Sequence, residues 1–384
     1  MNNNWNYPSN IRAGAGRVAE LPDACRSLGI QRPLLVTDPG LAALPMVRQA
    51  LGHCEAEGLG CSLFSDLRSN PCGENVAAGV TAFSAGNHDG VIAFGGGSAL
   101  DVGKAVALLS GQDRPLWDFE DSGENWKRVN ESGIAPIVAV PTTAGTGSEV
   151  GRAAIITDQE RRLKKIIFHP GMLPRQVILD PELTVGLPPH ITAATGMDAL
   201  SHNLEALCSP NYHPMAEGIA VEGIRLVREF LPVAVSDGGN LEARLQMLVA
   251  STMGATAFQK GLGAMHALAH PLGALYDAHH GLLNAILMPY VLSANQSAIE
   301  ARINRLSAYI GLAEPDFAGF LKWILELRSQ LAIPHCLAEI DIDHDMADRV
   351  ATMACEDPCA GGNPIAFSTA QYRQIFLRAV SGDL

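Results

Sequence analysis

Up to about residue 185, short apolar runs rich in β-branched residues alternate with longer helix-compatible stretches. The runs 33–37, 90–94, 134–140, 153–157 and 176–179 each end near a Gly, Pro, Asp or Thr. This alternation predicts an α/β domain built on a largely parallel sheet. Past Asp180-Pro181 and Pro188-Pro189 the period lengthens. The apolar spacing from His190 onward predicts helices over about 191–208, 215–230, 241–258, 263–275, 281–293, 296–310 and 315–330, with almost no strand. The pattern thus divides the chain into an α/β domain at 1–185 and an all-helical domain at 186–384.

Composition narrows the function. Of the 384 residues 47% are hydrophobic and 17% charged, enough apolar material for two buried cores and too much for a disordered chain. A net charge of −13 without a basic run argues against a nucleic-acid partner. No apolar run has the length of a membrane helix, and Met1 to Asn10 lacks a basic start and a leader-like apolar stretch. Eight scattered cysteines without a Cys-x-x-Cys pair read as reduced thiols. A cytoplasmic small-molecule enzyme is expected.

The run 90–94 leads into Gly95-Gly96-Gly97-Ser98 and a helix-compatible stretch to Leu109. A strand, a glycine turn and a helix N-terminus together form a phosphate cradle, because glycine lets the backbone approach a ligand and the helix start offers free N–H groups. Ser98 and Asp101 have capping-box spacing, so each can also serve as a cap, and Asp101 and Lys104 stand one helical turn apart. Gly14-x-Gly16-x-x-Ala19 matches a dinucleotide fingerprint, but no clear strand precedes it, so it is discounted. Asp38 closes the run 33–37, where an acid selects NAD over NADP through ribose hydroxyls or simply starts an Asp-Pro-Gly turn. The loop Pro141-Thr142-Thr143-Ala144-Gly145-Thr146-Gly147-Ser148-Glu149 follows another strand and is rich in hydroxyls that can bind a nucleotide.

In the helical half, Asp198 and His202 lie one turn apart, as do His266 and His270, and His280 follows at a turn. Such groups in an apolar region are costly unless paired or bound to a metal. A carboxylate with three imidazoles suits iron or zinc with a position open for substrate.

With these motifs in place the chain resembles the iron-containing (group III) alcohol dehydrogenases over nearly its whole length. The joint order of Gly95 to Ser98 with Asp101 and Lys104, Pro141 to Glu149, Asp180-Pro181 with Leu183, Asp198-x-x-x-His202 and His266-x-x-x-His270 with His280-Gly281 carries the resemblance. It implies a dehydroquinate-synthase-like architecture: an α/β Rossmann-like nucleotide domain, an all-α metal domain and an active site in the cleft. It implies Asp198, His202, His266 and His280 as ligands of Fe2+ or Zn2+, and His270 as a non-ligand catalytic histidine near the nicotinamide. For NAD it implies Asp38, Asn70, Gly96, Gly97, Ser98, Asp101, Thr142, Thr143, Thr146, Ser148, Leu183 and a lysine at Lys164 or its neighbour Lys165.

Two departures bear on substrate. Lys260 stands in the stretch 257–263 where related simple-alcohol enzymes have a small or neutral residue, and His279 doubles His280. Phe258 and Lys260 are therefore candidate substrate contacts, with Lys260 expected to recognise an anionic tail. The expected reaction is hydride transfer between NAD(H) and a small primary alcohol or its aldehyde, including a hydroxy acid and its semialdehyde. The alternatives are a lyase or cyclase of the dehydroquinate-synthase type that uses NAD transiently, or a non-catalytic NAD sensor. Edge strands in the first half are compatible with a homodimer or higher homo-oligomer.

Overall fold

The computed structural model describes residues 9–161 and 163–384. The stretch read for a leader falls mostly on residues 1–8, outside the described residues. The chain separates into two compact units between Gly186 and Leu187.

The first unit carries a six-stranded parallel sheet in the order β1-β8-β5-β4-β2-β3. Its strands are β1 (Asn10–Ala13), β2 (Pro33–Val36), β3 (Ser62–Phe64), β4 (Gly90–Gly95), β5 (Ile137–Pro141) and β8 (Gln176–Leu179). The inner strands β2, β4, β5 and β8 are buried along their whole length, as a sheet covered on both faces requires. Helices α1 (Leu21–Ser27), α2 (Pro39–Ala42), α3 (Pro45–Ala56), α4 (Gly73–Ala85) and α5 (Gly97–Leu109) connect them. Leu35, Ile92, Phe94, Val138, Val140 and Ile178 meet Leu21, Val47 and Cys54 in one core. The connections run outward from β2 to β3 and back across it to β4, so the order reverses between β2 and β4. Ligands of doubly wound sheets bind at the carboxyl ends of strands at such a reversal.

Three strands were not visible as apolar runs. β1 and β3 form the two edges and are mostly exposed, so their sequences carry polar residues. β6 (Ala153–Asp158) and β7 (Leu163–Phe168) pair antiparallel in a separate two-stranded sheet, so the run 153–157 lies outside the parallel sheet. β1 also corrects the reason for discounting Gly14-x-Gly16, because a strand does precede that turn. The turn already holds an anion. Asp180 accepts from Gly16 N at 3.1 Å through one oxygen and from Val18 N at 2.9 Å through the other.

The second unit is helical, with no strand among its described residues: α6 (Pro189–Cys208), α7 (Pro214–Ser236), α8 (Leu241–Ala257), α9 (Ala264–Tyr276), α10 (His280–Tyr309), α11 (Phe317–Gln330), α12 (Ala347–Glu356) and α13 (Thr369–Ser381). From Thr192 to Cys208 all but Thr195 are buried in α6, which makes it the central helix. The helices expected at 281–293 and 296–310 are one, α10. Of the two residues between them, Asn295 is buried and exchanges side-chain hydrogen bonds with Asn363, so its polarity marks a tertiary contact and not a break. No helix among the described residues is long and apolar enough to cross a membrane.

Candidate active site

The glycine turn sits at the sheet's reversal point. Gly95 ends β4 with φ +143°, in a region that side chains resist, and Gly96 precedes α5 without any side-chain cap. The first N–H groups of α5 therefore remain available to an anion. Thr146 crowds the turn, since a Cβ on Gly97 would lie 2.7 Å from its Oγ1, and Thr143 flanks Gly96. Asp38 at the end of β2 caps α2, its Oδ1 accepting from Leu41 N at 2.9 Å, and its Oδ2 lies beside Gly95. Both readings of Asp38 are compatible in one carboxylate. Ser98 donates to Ser69 O, tying the loop that carries Asn70 to the start of α5.

Other expected nucleotide contacts are engaged inside the protein. Asp101 accepts from Ser148 Oγ at 2.5 Å and from Ile155 N at 2.9 Å, and pairs with Lys104 at 3.1 Å. Lys104 in turn donates to Ser148 O at 3.0 Å and to Ala153 O. Asp101 and Ser148 thus brace the 141–149 loop and β6 from behind instead of presenting their side chains to a ligand. Thr142 is buried with its N–H on Gly95 O, and Leu183 packs in the sheet core. Lys165 is buried on β7 against Glu120 at 2.9 Å and Asp158 at 3.3 Å, and its neighbour Lys164 takes the opposite face of the strand.

In the helical unit four expected residues converge. One donor atom from each of Asp198, His202, His266 and His280 lies within 4.8 Å of the others. Asp198 and His202 come from one face of α6, His266 from the first turn of α9 and His280 from the first turn of α10. Burial holds His266 well below the ordinary imidazole range, with His202 adding to the effect, so the ring is neutral and ready to donate a lone pair. Asn284, one turn past His280, places its Nδ2 at 2.9 Å from Asp198 Oδ1 and at 3.2 Å from both His266 Nε2 and His280 Nε2. One amide has two hydrogens for three acceptors, and Asn284 Oδ1 is buried without a partner. A cluster so rich in acceptors fits a divalent cation, and its carboxylate and imidazole donors suit iron or zinc.

Phe258 covers this cluster, its ring 5.2 Å from that of His202. His270 stacks on His280 with ring centroids 5.5 Å apart and holds Asp357 Oδ2 through Nδ1 at 2.8 Å. Burial works against ionisation of Asp357, but the His270 bond and the Cys359 N–H outweigh it and hold its carboxyl below the usual range.

Lys260 departs from expectation. Its ammonium is buried and donates to Leu207 O at 3.0 Å and Ser209 O at 2.7 Å, and pairs with Glu217 at 2.9 Å. Its three hydrogens are engaged at the C-terminus of α6. It is a helix-end cation and not a substrate contact.

Comparison with known proteins gives the family. Residues 8–181 match the model of iron-containing alcohol dehydrogenases, and residues 192–380 match the C-terminal model of the same family. The chain belongs to the iron-containing alcohol dehydrogenase family. A 4-hydroxybutyrate dehydrogenase of Cupriavidus necator is 38% identical over 96% of this chain and 97% of its own length. The crystal structure of a 1,3-propanediol oxidoreductase superposes with a TM-score of 0.92 at 32% identity, covering 98% of this chain and all (100%) of that one. A sulfoacetaldehyde reductase from Bifidobacterium kashiwanohense, solved in complex with NAD+, superposes at 0.91 with 28% identity over 100% of both chains. Within this family the chain is an oxidoreductase, which sets aside the lyase and sensor readings.

Sequence reasoning missed Glu205, Asn284 and Asp357. Two of them carried a signal. Glu205 is seven residues after Asp198 and Asn284 four after His280, so each shares a helix face with an expected ligand. Asp357 lies in a turn far along the chain and had no such periodic cue.

Proposed function

We propose that the protein interconverts a small primary alcohol and its aldehyde with NAD(H), holding Fe2+ or Zn2+ on Asp198, His202, His266 and His280. The convergence of these four donors within 4.8 Å carries the reading. When bound, the metal supplies Lewis acidity toward the substrate oxygen, and NAD supplies a two-electron hydride acceptor.

This chain's residues do the rest. Gly96, Gly97 and the first turn of α5 bind the dinucleotide's phosphates, with Thr143 and Thr146 flanking them. Asp38 accepts from the ribose hydroxyls and disfavours a 2′-phosphate, and Asn70 and Lys164 line the nucleotide side. Phe258 shields the metal-side pocket from water. His270, its Nδ1 anchored by Asp357, passes the alcohol proton toward solvent at Nε2. Residues 1–185 form the nucleotide domain and 186–384 the metal domain. The enzyme acts in the cytoplasm, as a homodimer or larger homo-oligomer.

With Lys260 withdrawn, an anionic substrate tail rests on two of the relatives alone, whose named substrates carry a carboxylate or a sulfonate, while 1,3-propanediol is uncharged.

Absorbance at 340 nm tests the reaction directly. Alcohol oxidation should accumulate NADH, stop on chelation and return on adding Fe2+ or Zn2+, whereas Asp198→Asn should lose metal and not recover. Turnover that survives both chelation and Asp198→Asn would exclude the metal site.

A further inference from the structure

We propose that Glu205 is the positioning residue of the metal centre: a single carboxylate that starts α9 and fixes the ring of His266 with its Nε2 toward the other three donors. The inference rests on reading the four-donor cluster as a metal site.

Helix α9 begins without a local cap, because its N-cap, Gly263, has no side chain. Its first N–H groups are met from elsewhere. Gly263 N donates to Glu205 Oε2 at 2.8 Å, Met265 N to Glu205 Oε1 at 2.7 Å, and Ala264 N to Asn363 Oδ1 at 3.1 Å. The glycine is required for this approach. A Cβ at Gly263 would lie 2.9 Å from Asn363 Oδ1 and 3.0 Å from Glu205 Oε1.

The same Glu205 Oε2 also lies 2.7 Å from His266 Nδ1. A carboxylate that already takes two backbone N–H groups acts as an acceptor, so Nδ1 carries the imidazole hydrogen and Nε2 keeps its lone pair. The ring cannot turn about its axis without breaking a charge-assisted bond. Because Glu205, Asp198 and His202 all project from α6, one helix supplies two donors and orients a third on a different helix. Burial raises the pKa of the Glu205 carboxyl to about 7, while the N–H groups of Gly263 and Met265 at the positive end of α9 favour its ionised form. A carboxylate behind an imidazole raises its basicity as a ligand.

The test uses the full chain loaded with Zn2+ and titrated with a chromophoric chelator. Glu205→Gln should weaken Zn2+ binding by roughly 10–100-fold and shift the visible spectrum of the Co2+-loaded protein. Asn363→Ala removes a cap from the same helix start without touching His266, so it should lower thermal stability and leave Zn2+ affinity within about threefold. Equal Zn2+ affinity in Glu205→Gln and wild type would overturn the proposal, as would equal losses in the two variants, which would reduce Glu205 to a helix cap. A readout on the wild type does not depend on either variant folding. With 15N-labelled histidine, the zinc-loaded protein should show His266 protonated at Nδ1 and bound through Nε2, and the reverse tautomer would refute the assignment. Failure of the wild type to bind Zn2+ at all would refute the underlying metal reading instead.

Discussion

Lys260 shows what a single residue's sequence context can and cannot reveal. A lysine just before a histidine-bearing helix, where related simple-alcohol enzymes have a small or neutral residue, read as a cation for an anionic tail. Its neighbours in space are the last carbonyls of α6 and Glu217, and nothing local in sequence announces them. Burial lowers its pKa while Glu217 opposes that shift. Arg302 also reaches Leu207 O at 2.6 Å and Ser209 O at 3.1 Å, so removing the lysine leaves these carbonyls partly satisfied. Lys260→Met should therefore cost about 1–3 kcal/mol of stability, seen as a melting point lower by several degrees. The ratio of kcat/KM for 4-hydroxybutyrate to that for 1-butanol should be unchanged. A selective collapse for the carboxylated substrate would return Lys260 to the binding site. The pairs Asp198 with His202 and His266 with His270, in contrast, were legible because helical periodicity places i and i+4 on one face whatever surrounds them, while the choice of His266 and His280 as ligands came from the family resemblance.

At the scale of elements, the glycine turn and its look-alike differ in what fills them. After β1, Gly16 and Val18 turn their N–H groups onto Asp180, a carboxylate from the end of β8 that occupies the place an external anion would take. After β4 no side chain caps α5, and the crowding comes from Thr143 and Thr146. The sequence set them apart only by the strand thought to be missing before Gly14, which β1 supplies; the real difference lies in a residue more than 160 positions away. Strands buried on both faces were legible as apolar runs. Edge strands β1 and β3 were not, because an exposed edge has no need of one, and α10 was split in two because a buried asparagine looks like a break. Gly97→Ala tests the open turn. Its Cβ would meet Thr146 at 2.7 Å, displacing the loop across the nucleotide's path, so KM for NAD should rise roughly tenfold or more while bound metal per chain stays constant. An unchanged KM would place the dinucleotide elsewhere.

For the whole molecule, a net charge of −13 sets the field in which an anionic dinucleotide must arrive. The long-range part of that field opposes binding and is screened over about 10 Å at 0.1 M salt. The attractive part acts at hydrogen-bond distance from the N–H groups of α5, where little salt intervenes, and is far less screened. Raising ionic strength therefore removes more repulsion than attraction. KM for NAD should fall, by about twofold to threefold between roughly 10 and 150 mM salt, as expected when screening acts mainly on a distant, diffuse charge. The opposite slope is the signature of surface lysines or arginines gripping the phosphates, since pairs exposed to solvent weaken as salt rises. KM measured at several concentrations of two inert salts separates these cases, and a KM that rises with both would mean that basic side chains, and not the glycine turn, provide the main hold on the cofactor.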